Sequence, residues 1–321
     1  MGPDISLLRK SLEESDLSSL FKERTIDAML VELVDYLNPI RQNIDRRPGS
    51  GNGYQIYKRT PGLTPNQSAL NIDVDDIDTA EESTGTYSEL HLPYKTMLTQ
   101  GKISRRVQKT GKTVAELLRE EMEAKAREIR DAEEFRIFWG NSPTANSKQF
   151  PGLDSYMVAQ TGQIVALTNT GTGVAPTLEK LDELLDLNIG DPGLILTSRV
   201  GRRKINALLQ TTQRFVDRTE IPGGYRVMSY NEVPILTSTA IPSTINITSG
   251  GTVSSLTGGT STAIFVVDLR DVFMSVLTEL TTMPLARRSS QFEEFDIFMD
   301  ETLVVRDYRH VSMMTGVKGN S

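Results

Sequence analysis

Apolar positions recur with helical spacing at two places in the N-terminal half of the chain. Ile26, Met29, Leu30, Leu33, Val34 and Leu37 fall at i, i+3, i+4, i+7, i+8 and i+11, which sets them on one helical face. Asn38-Pro39 is expected to end that helix, because the residue before a proline is pushed out of the helical region. Residues 4–15 allow a shorter, poorly apolar helix. The stronger pattern spans 113–139. Thr113 and Glu116 have capping-box spacing. Val114, Leu117, Leu118, Met122, Ala126, Ile129, Ala132 and Phe135 predict a narrow apolar seam, and Gly140-Asn141-Ser142-Pro143 stops the run. At 1.5 Å per residue the helix would run roughly 40 Å. Such a helix suits a place across a sheet or along partners.

Between these helices the pattern changes. Pro48-Gly49-Ser50-Gly51-Asn52-Gly53 is a turn cluster, and Tyr54 and Ile56 then alternate with polar positions. Pro61-Gly62 and Thr64-Pro65-Asn66 break the strand, and Tyr87, Leu90, Leu92 and Tyr94 predict a return. The stretch 45–100 reads as a long two-stranded arm with too little core to fold on itself, so it needs another surface.

From 177 onward the pattern is mixed. Leu178, Leu181, Leu184 and Leu185 predict a helix, Leu194–Thr197 a buried strand, and Val200–Gln210 a helix carrying Arg202, Arg203 and Lys204. Strands are expected at Tyr225–Tyr230, Val233–Thr237, Ala263–Asp268, Phe273–Leu277, Phe292–Phe298 and Leu303–Arg306. The Ser/Thr/Gly-rich stretch 242–262 reads as a mobile loop.

Charge sharpens the reading of the arm. The chain of 321 residues holds 42 Asp and Glu against 35 Lys and Arg, a net charge of −7. Residues 61–93 hold Asp73, Asp75, Asp76, Asp78, Glu81, Glu82 and Glu89 with no Lys or Arg, which is the whole excess. Basic segments flank this strip: Arg41, Arg46, Arg47, Lys58 and Arg59 before it, and Lys95, Lys102, Arg105, Arg106, Lys109 and Lys112 after it.

Composition removes much chemistry. With no Cys, disulfides, zinc–thiolate sites and thiol nucleophiles are excluded. The two His, His91 and His310, lie far apart, and neither has a nucleophile-elbow sequence nearby. Each reads as an ordinary satisfied side chain. Gly111-Lys112-Thr113 resembles the end of a phosphate loop, but position 106 is Arg where that loop needs Gly. The spacing of Asp73, Asp75, Asp76 and Asp78 fails as an EF-hand, because Asp78 stands where Gly is required and Thr84 where Glu is required. No apolar run approaches the roughly 20 residues of a membrane span. No catalytic constellation, cofactor or metal site is nominated. What remains is an arm, a charged β-ribbon and a long helix, all parts that need neighbours.

The order of these parts resembles the tailed-bacteriophage major capsid proteins of the Hong Kong 97 type. The segment 25–41, with Asn38-Pro39-Ile40-Arg41, resembles the family's passage from N-terminal arm to extended loop. The capped helix 113–139 resembles its spine helix, and Phe150-Pro151-Gly152-Leu153 is similar to the turn that often follows. The resemblance implies an α+β fold with arm 1–44, extended loop 45–100, peripheral domain 101–176, axial domain 177–268 and a return to the peripheral domain over 269–321.

The implied function is structural and non-enzymatic: pentamers and hexamers of an icosahedral head enclosing double-stranded DNA without sequence-specific binding. Partners implied are further copies of the chain, a separate scaffold protein, a portal and a decoration protein, with no membrane. Assembly is expected in the host cytoplasm, and the protein in the virion. Lys58 and Lys95 lie where some members cross-link, but no matching Asn or Glu is assigned. The expected interface pairs the strip Asp73, Asp75, Asp76, Asp78, Glu81 and Glu82 of one copy with Lys102, Arg105, Arg106, Lys109 and Arg202, Arg203, Lys204 of another. An encapsulin-like compartment of the same fold is the alternative, and a carboxylate-using α/β enzyme the alternative of another class.

Overall fold

One apolar core joins two sheets and a long helix. The computed structural model describes residues 38–60, 85–104, 114–168, 170–211, 217–221, 225–248, 250–284 and 292–319. In chain order the first elements are α1 (Pro39–Asn43), β1 (Asp45–Pro48), β2 (Gly53–Thr60), β3 (Thr86–Pro93), β4 (Lys95–Ser104) and α2 (Val114–Trp139). Then come α3 (Leu153–Ala159), β5 (Ile164–Ala166), α4 (Leu178–Asp186), β6 (Leu194–Thr197), α5 (Arg199–Thr211), β7 (Asp217–Ile221), β8 (Tyr225–Tyr230) and β9 (Val233–Thr237). The chain ends with β10 (Asn246–Ile247), β11 (Val253–Ser255), β12 (Ser261–Val267), β13 (Val272–Pro284), β14 (Phe292–Val305) and β15 (Val311–Lys318).

The larger sheet has the order β5-β15-β12-β6-β9-β8-β7. Its central strand β12 is buried along its whole length and sends alternate side chains to opposite faces, as the period of 2 requires. Ile264 and Val266 meet Leu181 and Leu184 of α4 and Ile205 and Leu209 of α5 on one side. Ala263, Phe265 and Val267 meet the C-terminal end of α2 on the other. This two-sided burial explains why β6 and β12 read as continuous apolar runs.

The four-stranded sheet has the order β1-β13-β14-β4, and α2 crosses it along β4. Met97, Phe295, Ile297 and Met299 line its inner face. Helix α2 ends where Gly140 N–H bonds Arg136 O at 2.8 Å and Asn141 turns left-handed at φ 57°. Ile137, Phe138 and Trp139 are fully buried there. Trp139 donates Nε1–H to Ala240 O at 2.9 Å, and the Phe265 ring lies 5.3 Å from Phe138 and 5.7 Å from Trp139. The chain after α2 doubles back, and Gly152 N–H bonds Gly140 O at 2.8 Å. A Cβ on Gly152 would lie 2.4 Å from Gly140 N, so only glycine permits this approach.

The ribbon is β2 paired antiparallel with β3, from Gly53↔Pro93 to Thr60↔Thr86. Its root covers the outer face of the four-stranded sheet: Tyr54, Ile56, Leu90 and Leu92 pack on Phe273 and Val304. The Tyr54 and Phe273 rings meet edge to face at 5.5 Å.

Several expectations change. Pro39 opens α1, a short helix that was not expected, where its missing N–H costs nothing. The ribbon is shorter than the 45–100 arm, because β1 pairs parallel with β13 and β4 pairs with β14. The segment 269–321 divides, with β13 and β14 in the smaller sheet and β15 beside β12 in the larger one. The two strands expected over 292–306 are one continuous β14. The presumed loop 242–262 contains the β10–β11 hairpin and buries Ile245, Ile247 and Val253; Ser261 Oγ donates to Ile245 O at 2.6 Å. Polar composition there serves local hydrogen bonding. On α2, Phe135 is 41% exposed, while Glu133 and Glu134 are buried in its place. The helices expected at 4–15 and 26–37, and Gly111-Lys112-Thr113, lie outside the described residues.

Candidate assembly interface and its buried ionic root

The base of the arm is fixed by charge. α1 and β1 carry Arg41 and Arg46 over the C-terminal third of α2, where Glu133 is fully buried. Glu133 holds both guanidinium groups: Arg41 Nε on one carboxylate oxygen and Arg46 Nη1 on the other. Arg46 Nη2 also reaches Glu301 on β14 at 3.1 Å and Glu279 on β13 at 3.4 Å. One arginine thus ties β1, α2 and both long strands.

Glu134 performs a second task one residue on. Its carboxylate accepts the backbone N–H of Ile40 at 3.4 Å and of Arg41 at 3.0 Å, the open donors of the first turn of α1. Ser238 Oγ donates to it at 2.9 Å, and Asn38 Nδ2 reaches Asp131 at 2.6 Å beside it. Burial raises the Glu134 carboxyl to about 7, against the pull of those donors, with Glu133 adding to the rise. Glu301 is also raised, by burial first and by Glu133 second, against Arg46 and Arg41. Asp154, buried under Ser142 Oγ at 2.5 Å, is raised to about 6 by burial.

Above this root the ribbon carries its polar side outward. Tyr57 and Tyr87 are 70% and 72% exposed, and the Arg59 guanidinium lies 5.9 Å from the Tyr87 ring. Inward, the Arg47 guanidinium stacks 4.0 Å from the Phe273 ring.

A separate lock sits at the end of β12. His310 Nδ1 is 3.2 Å from Asp268 and Nε2 is 3.1 Å from Asp271. Burial tends to raise the Asp268 carboxyl, but the Arg270 N–H and guanidinium and His310 hold it below the usual range. The ligand-capable atoms of Asp268, Asp271 and His310 lie within 4.8 Å of one another. Both imidazole nitrogens face carboxylates, and Arg270 and Arg306 flank the group at 3.3 Å and 3.7 Å, so its visible work is to pin the β14–β15 turn to β12. Nothing in the spacing of 268, 271 and 310 could have brought them together on paper.

Of the predicted interface residues, Asp73, Asp75, Asp76, Asp78, Glu81, Glu82, Arg105, Arg106 and Lys109 lie outside the described residues. Lys102 sits on β4, an edge strand of the smaller sheet, with Nζ 3.6 Å from Glu294. Arg202, Arg203 and Lys204 sit on α5 over the larger sheet. Sequence reasoning missed the buried acids. Their signal was present: Glu133 follows Ala126 and Ile129 at the next seam position, ahead of Ile137.

A family model described as the SU10 major capsid protein matches residues 40–318, nearly every described element. The chain belongs to the SU10 major capsid protein family. It is a capsid protein of the Hong Kong 97 fold, and its role is structural. The SrpI encapsulin of Synechococcus elongatus PCC 7942, seen in its holo complex, shares that fold with a TM-score of 0.68 at 13% identity, over 97% of this chain and 99% of that one. The capsid of cyanophage A-1(L) matches with a TM-score of 0.66 at 12% identity, over 94% and 99%. The capsid of a native GTA particle matches with a TM-score of 0.62 at 9% identity, over 96% and 100%. No curated protein matches by sequence. Among the described residues no helix is long and apolar enough to cross a membrane.

Proposed function

We propose that many copies of this chain build an icosahedral phage head of pentamers and hexamers around double-stranded DNA. The observation that carries this reading is the ribbon, whose root is packed on its own sheet while Tyr57 and Tyr87 stand exposed beyond it. An exposed two-stranded ribbon is marginal alone, and the peripheral face of a neighbouring copy would cover it. In this reading the smaller sheet with α2 forms the peripheral part of the subunit and the larger sheet the axial part. A separate scaffold, a portal and a decoration protein complete the head, which assembles in the host cytoplasm. DNA is confined without sequence readout, which an acidic subunit suits, since a strongly basic wall would hold the genome against release.

The acidic strip 73–82 of one copy docks, in this reading, on the basic stretch Lys102, Arg105, Arg106 and Lys109 of another. Each exposed pair contributes about 0–1 kcal/mol, and repetition around a shell makes the sum matter. Electron microscopy of the purified protein tests the shell itself. Reversal of Asp75, Asp76 and Asp78 to Lys should abolish particles, and reversal of the matching bases should partly restore them. Normal particles from the triple reversal would remove this contact from the account.

The likeness to the SrpI encapsulin supports a second reading, a protein compartment of the same fold. A nucleic-acid assay on purified particles separates the two. A stable monomer with a saturable small ligand in size-exclusion chromatography would point instead to an enzyme.

A further inference from the structure

Two helices on one face of the larger sheet carry opposite charge. α4 holds Glu179, Asp182, Glu183 and Asp186 against Lys180, a balance of −3. α5 holds Arg199, Arg202, Arg203 and Lys204 with no acid, a balance of +4. Both helices spend their apolar side on the sheet, through Leu181 and Leu184 and through Ile205 and Leu209. Their charge therefore faces outward: Glu179, Glu183, Asp186, Arg199, Arg202 and Arg203 are all exposed.

The four acids of α4 fall at i, i+3, i+4 and i+7, so they form one ridge. They line an open depression that ends at Leu187, and Ile189, two residues further along the chain, is 64% exposed. An acidic hollow with an apolar end and a basic ridge, both on one face of the same sheet, are a complementary pair of surfaces.

We propose that the acidic ridge of α4 in one copy docks on the basic ridge of α5 in the next copy, joining subunits head to tail. The inference rests on the shell-forming reading and names the contact that closes its rings. Unlike surfaces that meet head to tail produce a closed ring when the rotation between copies closes. The opposite charges would steer approach and fix register, and Ile189 would be covered. Arg202 and Lys204 thereby receive a partner other than the acidic strip of the arm.

Charge reversal tests the pairing. One variant carries Glu179→Lys, Glu183→Lys and Asp186→Lys; a second carries Arg199→Glu, Arg202→Glu and Lys204→Glu; a third carries all six. Sedimentation and electron microscopy read assembly, and circular dichroism checks folding. Each triple variant should lose particle yield by tenfold or more, and the six-residue variant should regain it. Co-expressed triple variants should form six-membered rings, in which the two alternate, and no five-membered rings, in which alternation fails.

Wild-type yield from either folded triple variant overturns the proposal. So does a folded six-residue variant that stays dissociated. Where a reversal does not fold, the neutral set Glu179→Gln, Glu183→Gln and Asp186→Asn replaces it, and unchanged assembly then counts against the contact. If the unaltered chain itself forms no particles, the shell reading has failed, and not this contact alone.

Discussion

Arg46 Nη2 lies 3.1 Å from Glu301, a contact that spans 255 positions and passes over the buried Glu133. The arm root is therefore held by a buried ionic node and not by apolar packing alone. Removing a buried counter-charge leaves its partners stranded. Arg46→Met should lower unfolding free energy by about 3–5 kcal/mol. Arg46→Lys should cost less, because one ammonium keeps the charge but cannot fork to both carboxylates. Urea unfolding of the dissociated subunit measures both.

Glu134 makes the same region sensitive to pH. Its folded carboxyl is raised from 4.5 to about 7, so the native chain binds a proton that the unfolded chain has released between those values. Stability is then fullest below about pH 4.5 and falls as pH rises through 7, by at most about 3 kcal/mol from this group. Glu301, also raised, adds to the fall in the same direction. Glu134→Gln should flatten this part of the profile, while its side-chain oxygen still accepts from the α1 N–H groups. Chemical denaturation at stepped pH reads the slope, and an unchanged slope in the variant would remove Glu134 from the explanation.

Gly152→Ala should be severe for a small change. The added methyl would lie 2.4 Å from Gly140 N and 2.6 Å from Arg136 O, both backbone atoms that cannot step aside. The expected result is a loss beyond the roughly 1 kcal/mol typical of point variants, seen as a lower melting temperature. Alanine at Gly162, with open space around its Cβ position, is the control and should change little.

The ribbon should separate folding from assembly. Tyr57→Ser with Tyr87→Ser removes two rings that are 70% and 72% exposed. The change should leave subunit stability within about 0.5 kcal/mol and reduce particle yield. Tyr54→Ser, by contrast, should reduce stability itself, because that ring packs on Phe273 at 5.5 Å. Thermal unfolding and particle counts on the same samples distinguish the two effects.

The sequence exposed whichever elements owe their form to local pattern. β6 reads as a strand because Leu194–Thr197 is buried on both faces, and α4 as a helix because its leucines keep the helical period above the Thr177 cap. Patterns fail where distant groups decide. Phe135 looked like core because it continues the spacing of the apolar seam, yet Glu133 takes the buried place because Arg41 and Arg46 arrive from some 90 positions away to neutralise it. The 242–262 stretch looked polar enough to stay loose, yet its hydroxyls satisfy their own backbone and let Ile245, Ile247 and Val253 turn inward. Charge runs carry a sign but no place in the fold. The bases of α5 and of β4 were grouped by sign, and the fold sets them over different sheets.

The seating of Phe138 and Trp139 against Phe265 has a mechanical consequence. It gives α2 a fulcrum at one end. The helix has 26 residues, which at 1.5 Å each is a rod of about 39 Å. A tilt of about 5° at the fulcrum would carry the far end through roughly 3 Å, while the β4 side of the smaller sheet rides on the rod. Arg46 on Glu133, six residues before Trp139, ties the rod down close to that fulcrum, so the far end keeps the longest reach.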